Sequence, residues 1–580
     1  MVVSSEIKND DGCHPYGVEP LGNIFLGRSA SCKPKGLGTL AVLDDERMLD
    51  LMGFMGAHSL GRLAFVSSAL YVYAHVEELW KTLVVQEMVG RQGQGVETRG
   101  GWKTTLQHIV RPSGPSGTGG GGDTDDRGRE GAPHVPLKVS GFFSDLLFQP
   151  HHCATAAIKP EWVRRSTVDR RAGLSPEDFR RLYEGPNKPV VLTDAAASWP
   201  ALQEWTRAKL SEAHGDLRLH AGGLEFALKD YLRYAEESKD ELPLYVFDKR
   251  FVHKCPEMGR EYSVPQDDLF SVLGEDRRPD HRWLIAGPAR SGSSFHVDPN
   301  CTSAWNATVS GRKKWIMFPP GETPPGVHPS EDGLDLAAPV SITEWFLNFY
   351  QACIDCHAPG RRVRPLECVV SAGEVVFVPM GWWHCVLNLE WSVAITQNFV
   401  SRVNLPHVVK FLLTQKHLIS GLPLDQREDL GERFVAALTA EHPDLGVREV
   451  AELAAATAAS SAGGSVVDGG RSVVSGNSSS SSSALCGNAR QNGTGSSGSN
   501  GGKRPRLWEK LKQGGGGATA AAGAPVCVVT AEEAASVTGG GGHKATAAAA
   551  AAVAVQGVVG GAEGGGAGGS GGFTFGFSLS

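Results

Sequence analysis

The chemistry in this chain starts from His296-Val297-Asp298-Pro299. On an extended strand alternate side chains face the same way, so the imidazole and the carboxylate would point to one side and offer two adjacent coordination positions. A third ligand has to come from elsewhere. His384 is the candidate, in Pro379-Met380-Gly381-Trp382-Trp383-His384, directly after the apolar run Val375 to Val378. Two imidazoles and a carboxylate on one face of an octahedron leave the opposite face open for a chelating co-substrate and O₂, as in non-haem Fe(II) sites. The same three groups also bind Zn²⁺, so spacing alone does not name the metal. A bare His-x-Asp pair is weak evidence, because such pairs often serve as ordinary surface polar groups. The distant histidine behind Gly373-Glu374 and Gly381-Trp382-Trp383 strengthens it.

These residues need strands to position them. Between Pro136 and Val403 short apolar runs recur, among them Pro189 to Leu192, Pro243 to Phe247, Lys314 to Phe318, Glu374 to Val378 and Val393 to Ile395. Their spacing, with Gly and Pro between them, predicts antiparallel sheet in a sandwich or barrel. By spacing alone Lys313, between Arg312 and Lys314, reads as part of a solvated cluster. Cys353-x-x-Cys356-His357, with Cys368 and Cys385 downstream, has metal-like spacing, but a zinc site needs a closed set of four ligands. Those thiols read as incidental. Arg170-Arg171 and Arg361-Arg362 read as solvated charge, and Trp305, Trp382 and Trp383 as core or pocket wall.

The remainder of the 580 residues divides by composition. Residues 1–35 read as disordered. Residues 36–90 turn helical: Leu43, Met48, Leu49 and Met52 recur at helical spacing, Ser59 is a plausible N-cap for a second helix, and a third apolar stretch runs from Leu70 to Trp80. Residues 111–135 are a Pro- and Gly-rich linker. Residues 136–405 form the strand-rich domain and 406–457 a set of C-terminal helices. Residues 458–580 are a low-complexity tail expected to be disordered, with one basic cluster at Lys503-Arg504-Pro505-Arg506 that matches a nuclear import signal, a match short basic runs often make by accident. The fold class expected is mainly β, flanked by helices, with a small N-terminal all-α module. A net charge of -7 argues against whole-chain nucleic-acid binding. Eleven Cys without framework spacing suggest a reducing compartment. No signal peptide or spanning segment is expected, and we expect a soluble intracellular chain, nuclear and possibly also cytoplasmic.

Two resemblances sharpen this. Leu43-Asp44-Asp45-Glu46, Leu60-Gly61-Arg62-Leu63-Ala64-Phe65-Val66-Ser67 and Glu78-Leu79-Trp80 resemble an F-box, although F-boxes usually carry Pro where Asp44 stands. That resemblance implies a Skp-type adaptor of a cullin ubiquitin ligase as a partner through residues 36–90. The metal-bearing motifs, together with Thr302-Ser303-Ala304-Trp305-Asn306-Ala307, Gly311-Arg312-Lys313-Lys314-Trp315 and Ala394-Ile395-Thr396-Gln397-Asn398-Phe399, resemble the JmjC family. The resemblance is closest to its subgroup of arginine demethylases and lysyl hydroxylases. It implies a double-stranded β-helix, a cupin-like jelly roll, with Fe(II) on His296, Asp298 and His384. It also implies 2-oxoglutarate and O₂ as co-substrates, with Lys313 pairing the distal carboxylate and Asn306, Thr396 and Tyr245 lining the pocket. Ser293 stands where the subgroup often has Thr. The implied activity is hydroxylation or N-methyl demethylation of lysine or arginine side chains in a protein or peptide, histones included. Hydroxylation is favoured because an N-methyl pocket leaves no readable signature. The alternative is an F-box substrate receptor that uses the jelly roll mainly for target recognition.

Overall fold

In the computed structural model, residues 13–27, 30–91, 94–110, 135–330, 333–354, 364–452 and 454 are described. The Lys503 to Arg506 cluster, the linker at 111–134, the tail from 455 onward (454 apart) and Cys356, His357, Arg361 and Arg362 lie outside them. Among the described residues no helix is long and apolar enough to cross a membrane.

Thirteen strands carry the site. They are β1 (Asp169–Arg171), β2 (Val190–Leu192), β3 (Arg218–Ala221), β4 (Leu224–Ala227), β5 (Val246–Asp248), β6 (Arg282–Gly287) and β7 (Gly292–His296), followed by β8 (Ser303–Ser310), β9 (Arg312–Phe318), β10 (Leu366–Ser371), β11 (Val375–Val378), β12 (Trp383–Asn388) and β13 (Ser392–Phe399). The larger sheet runs β1-β2-β11-β8-β13-β6-β5-β3-β4 and the smaller β10-β9-β12-β7. All neighbours pair antiparallel except β1 with β2. Every predicted strand run overlaps one of these strands, although Pro243, Leu244 and Tyr245 lie ahead of β5.

Alternation sets the layers. Val191, Ala304, Val376 and Val378 of the larger sheet pack with Trp315, Met317, Val370 and Val386 of the smaller. This is the interior of a jelly roll, and Trp382 lies in it. The outward face of the larger sheet (Trp305, Ala307, Phe377, Ile395) joins a second core. Ile316, Trp383, Cys385 and Leu387 on the outward face of the smaller sheet pack under Trp345 and Phe346. The helical stretch after 405 forms Leu405–Thr414 and Leu430–Glu441 over a core of their own.

The helices that precede the sheets include α1 (Asp45–Gly53), α2 (Ala57–Leu63), α3 (Ser68–Tyr73), α4 (Glu77–Val89) and α5 (Trp102–Val110). Asp44, at the F-box proline place, caps α1 by accepting from the Arg47 N–H at 2.9 Å. A carboxylate N-cap supplies what the missing proline would otherwise help start. Two details depart from expectation. The helix bearing Ser59 starts one turn earlier, behind the extended Gly56, which places Ser59 inside it. The third apolar stretch is split between α3 and α4, because Ser67 caps α3 and the chain turns at Ala74, whose carbonyl takes the Trp80 indole N–H at 2.8 Å. Within the stretch expected to be disordered, the described residues 13–27 carry structure: Val18–Glu19 pairs in parallel with Phe142–Phe143, and Val18 is buried there. The apolar face of α1 to α5 joins the same core as the larger sheet.

Candidate metal centre and co-substrate pocket

β7 and β12 are neighbours, and the Cα partner of His384 is His296. Their rings face each other, with centroids 4.1 Å apart. Each imidazole is held from behind through Nδ1, His296 by the Ser294 carbonyl at 2.7 Å and His384 by the Trp382 carbonyl at 3.1 Å. An Nδ1–H donating to a carbonyl leaves the Nε2 lone pair free for a metal. Burial pulls both imidazoles down to about 4, so they are neutral near pH 7. Asp298, two residues past His296, is buried. Its Oδ1 accepts from Asn398 Nδ2 at 3.4 Å, and its Oδ2 has no partner. Burial raises its pKa. Ligand atoms of the three residues lie within 4.8 Å of one another.

A buried carboxylate oxygen without a donor is costly to leave unmet. Here it sits with two imidazole lone pairs that equally want a donor. A divalent cation meets all three needs, so the donor set fits Fe(II).

A register shift between β12 and β7 makes room for a second polar group. Val386 pairs with Ser293 and His384 with His296, so β7 carries one extra residue and both Ser293 and His296 face the interior. Further along β12, Asn388 faces the same way as His384, four residues and about 13 Å of strand distant. Asn388 is the Cα partner of Lys313 on β9.

Lys313 is fully buried. Its Nζ donates to Tyr245 OH at 2.8 Å and to Asn388 Oδ1 at 2.9 Å, and Asn388 Nδ2 donates to Ser291 Oγ at 2.9 Å. Among the described residues no carboxylate lies within ion-pair distance of it, and burial lowers its pKa to about 7. An ammonium in that position wants an anion. Asn306 on β8 and Thr396 on β13 are Cα partners across the larger sheet. Thr396 Oγ1 donates to the Trp305 carbonyl at 3.1 Å, while Asn306 Oδ1 is buried without a partner.

All eight residues singled out from sequence sit on or beside the strands lining this interior. Four others were missed. Asn388 holds Lys313 and is itself held by Ser291, Asn398 reaches Asp298, and Trp315 stacks on His384 at 5.8 Å. Their signal was the period of two: Asn388 is two steps of alternation from His384, and Asn398 one step from Thr396. Cys353, Cys368 and Cys385 are buried and take no part in the triad.

Residues 176–404 match the family of cupin-like domains. The chain is 44% identical over 434 residues to the arginine-specific demethylase JMJ22 of Arabidopsis thaliana, covering 74% of this chain and 82% of that protein. The chain belongs to the JmjC family. It is also 35% identical over 294 residues to the bifunctional arginine demethylase and lysyl-hydroxylase psr-1 of Caenorhabditis elegans, covering 48% of this chain and 70% of the relative. A 2-oxoglutarate and iron-dependent oxygenase of Homo sapiens, JMJD4, is 30% identical over 286 residues, 43% of this chain and 64% of that one. As a JmjC protein the chain is a 2-oxoglutarate-dependent dioxygenase that uses iron.

Proposed function

We propose that this JmjC oxygenase modifies proteins, hydroxylating a C–H bond on a lysine side chain or on the N-methyl group of a methylated arginine. The observation that carries the proposal is the convergence of His296, Asp298 and His384, with an unmet carboxylate oxygen among them. In this reading those three hold the iron. Bound iron, with 2-oxoglutarate and O₂, supplies the oxidising power for C–H hydroxylation.

The chain's own residues position and shield. Lys313 takes the outer carboxylate of 2-oxoglutarate, held by Tyr245 and Asn388, which add no competing charge. Asn306, Thr396 and Ser293 orient the diacid from the facing walls. Trp315 keeps the His384 ring in plane, and the apolar interior around Val376 and Val386 excludes water. The names of the relatives support lysine and arginine as targets. Both outcomes share one hydroxylation: on a lysine carbon the alcohol persists, and on an N-methyl carbon it collapses to formaldehyde and a demethylated nitrogen. Mass spectrometry of lysine and methylarginine peptides incubated with the iron-loaded full chain separates the two, as gain of an oxygen or loss of a methyl group. Peptides of both kinds left unmodified while 2-oxoglutarate is consumed would argue against a protein substrate.

A second reading retains the F-box resemblance. Phe54, 88% exposed after α1, and Phe65, 92% exposed after α2, present apolar surface of the kind an adaptor would cover. Capture of a Skp-type adaptor by the full chain, lost in Phe54→Ser/Phe65→Ser, supports that role; absence of capture removes it. The nuclear expectation is tested by imaging the chain with Lys503 to Arg506 replaced by alanine.

A further inference from the structure

The two groups that hold the Lys313 ammonium trace back to one residue far from the pocket. Tyr245 follows Leu244, whose backbone is pinned at both ends. Its N–H donates to Tyr234 OH at 2.8 Å, and its carbonyl accepts from Tyr231 OH at 2.8 Å. Tyr234 OH in turn donates to Asp240 Oδ2 at 2.8 Å. On the other side, the Asp240 carbonyl lies 3.4 Å from Nη1 of Arg290, which adopts a left-handed backbone conformation (φ 72°). Arg290 leads directly into Ser291, the residue that holds Asn388. The turn is close-packed: a Cβ on Gly287 would lie 2.3 Å from Ser291 Oγ and 2.7 Å from the Tyr245 ring. Both arms therefore start at Asp240 and end on Lys313.

Asp240 itself is fixed by the N-terminal helices. The Trp102 indole N–H, at the start of α5, donates to its Oδ1 at 2.9 Å, and Lys81 Nζ of α4 stands 3.9 Å from its Oδ2. Trp102 also packs on the Tyr234 ring, centroids 5.9 Å apart, and its backbone N–H donates to Glu77 Oε2 at 2.7 Å.

We propose that the N-terminal helical segment is a working part of the 2-oxoglutarate pocket, with Trp102 and Tyr234 as positioning residues that set Tyr245 and Asn388 around the Lys313 ammonium. The inference rests on Lys313 being the 2-oxoglutarate anchor. Pre-set acceptors hold the ammonium where the incoming carboxylate needs it, so slack anywhere in the chain of bonds weakens diacid binding while the metal ligands on β7 and β12 stay as they are.

The test is calorimetric titration of 2-oxoglutarate into the full chain loaded with Mn(II), alongside titration of Mn(II) itself. Tyr234→Phe removes the shared hydroxyl, and Trp102→Phe removes the indole N–H while keeping a smaller aromatic ring in the core. Each is expected to raise the 2-oxoglutarate Kd by about 3- to 10-fold, the scale of one hydrogen bond, with Mn(II) affinity unchanged. Lys313→Met separates the two claims. If it binds 2-oxoglutarate like the parent, the pocket reading fails and the relay falls with it. If it loses binding while both other variants keep the parental Kd, the relay alone is wrong. An equal loss of Mn(II) affinity in Tyr234→Phe and Trp102→Phe would mark general loosening and also overturn the relay.

Discussion

Lys313 and Lys314 are adjacent on β9, and both are fully buried, yet they face opposite sides of the smaller sheet. On the outward side Lys314 Nζ meets Glu367 Oε2 at 2.8 Å and the Arg165 carbonyl at 2.9 Å. Glu367 also accepts from Arg165 Nε and Tyr350 OH, each at 2.9 Å, so that network is closed. On the inward side Lys313 has only a phenol and an amide. The difference teaches that burial of a charge does not mark a site; burial without a counter-charge does. The closed network holds the sheet together. The open one gives its ammonium only neutral acceptors among the described residues.

The largest effect that would break this comparison is on stability. Lys314→Met strands Glu367 in the core and should cost about 3 kcal/mol, the low end for a broken buried pair because Arg165 still bonds the carboxylate. Denaturant unfolding reads it, and 2-oxoglutarate affinity should not move. Lys313→Met reverses the pattern. It should weaken 2-oxoglutarate binding by about 10- to 100-fold, the range for a hydrogen bond to a charged group. Stability should hold or rise, since an unpaired buried ammonium is gone.

A third, smaller effect sharpens the contrast by pH. The Lys313 pKa falls from its ordinary 10.5 to about 7. Above that value the folded, ligand-free protein releases the proton that the diacid requires. Affinity should therefore drop as pH rises from 7 to 8.5, approaching about tenfold per unit, and Lys313→Met should be flat over that window. The same shift penalises folding while the unfolded chain keeps its proton, so this contribution to stability improves as pH rises from 7 toward 10.5. The smallest effect is expected for Asn398→Ala. Its bond to Asp298 is long at 3.4 Å, so Mn(II) affinity should fall about tenfold or less in calorimetric titration.

The strands and the convergence of the three candidate metal donors were legible because both rest on the period of two and on short, ordered motifs. His296 and Asp298 announce a shared face, and Gly381-Trp382-Trp383-His384 announces the return. Lys313 was different. Its neighbours Arg312 and Lys314 look like surface charge, and only Arg312 is exposed. Nothing local tells which lysine will meet the distant Glu367 and which will meet no carboxylate. The Ser293 bulge was also hidden, because an extra residue in one strand is visible only against its partner. The docking of α4 and α5 on Asp240 was hidden for the same reason: Trp102 and Asp240 are 138 residues apart, and a linker between them read as a boundary.

The account stands or falls on whether three distant side chains hold one ion. Anaerobic titration of Fe(II) into the full chain should give a single iron per molecule in the parent, no measurable binding in His384→Ala or Asp298→Ala, and parental binding in Cys353→Ser. Iron bound by His384→Ala as tightly as by the parent would contradict it.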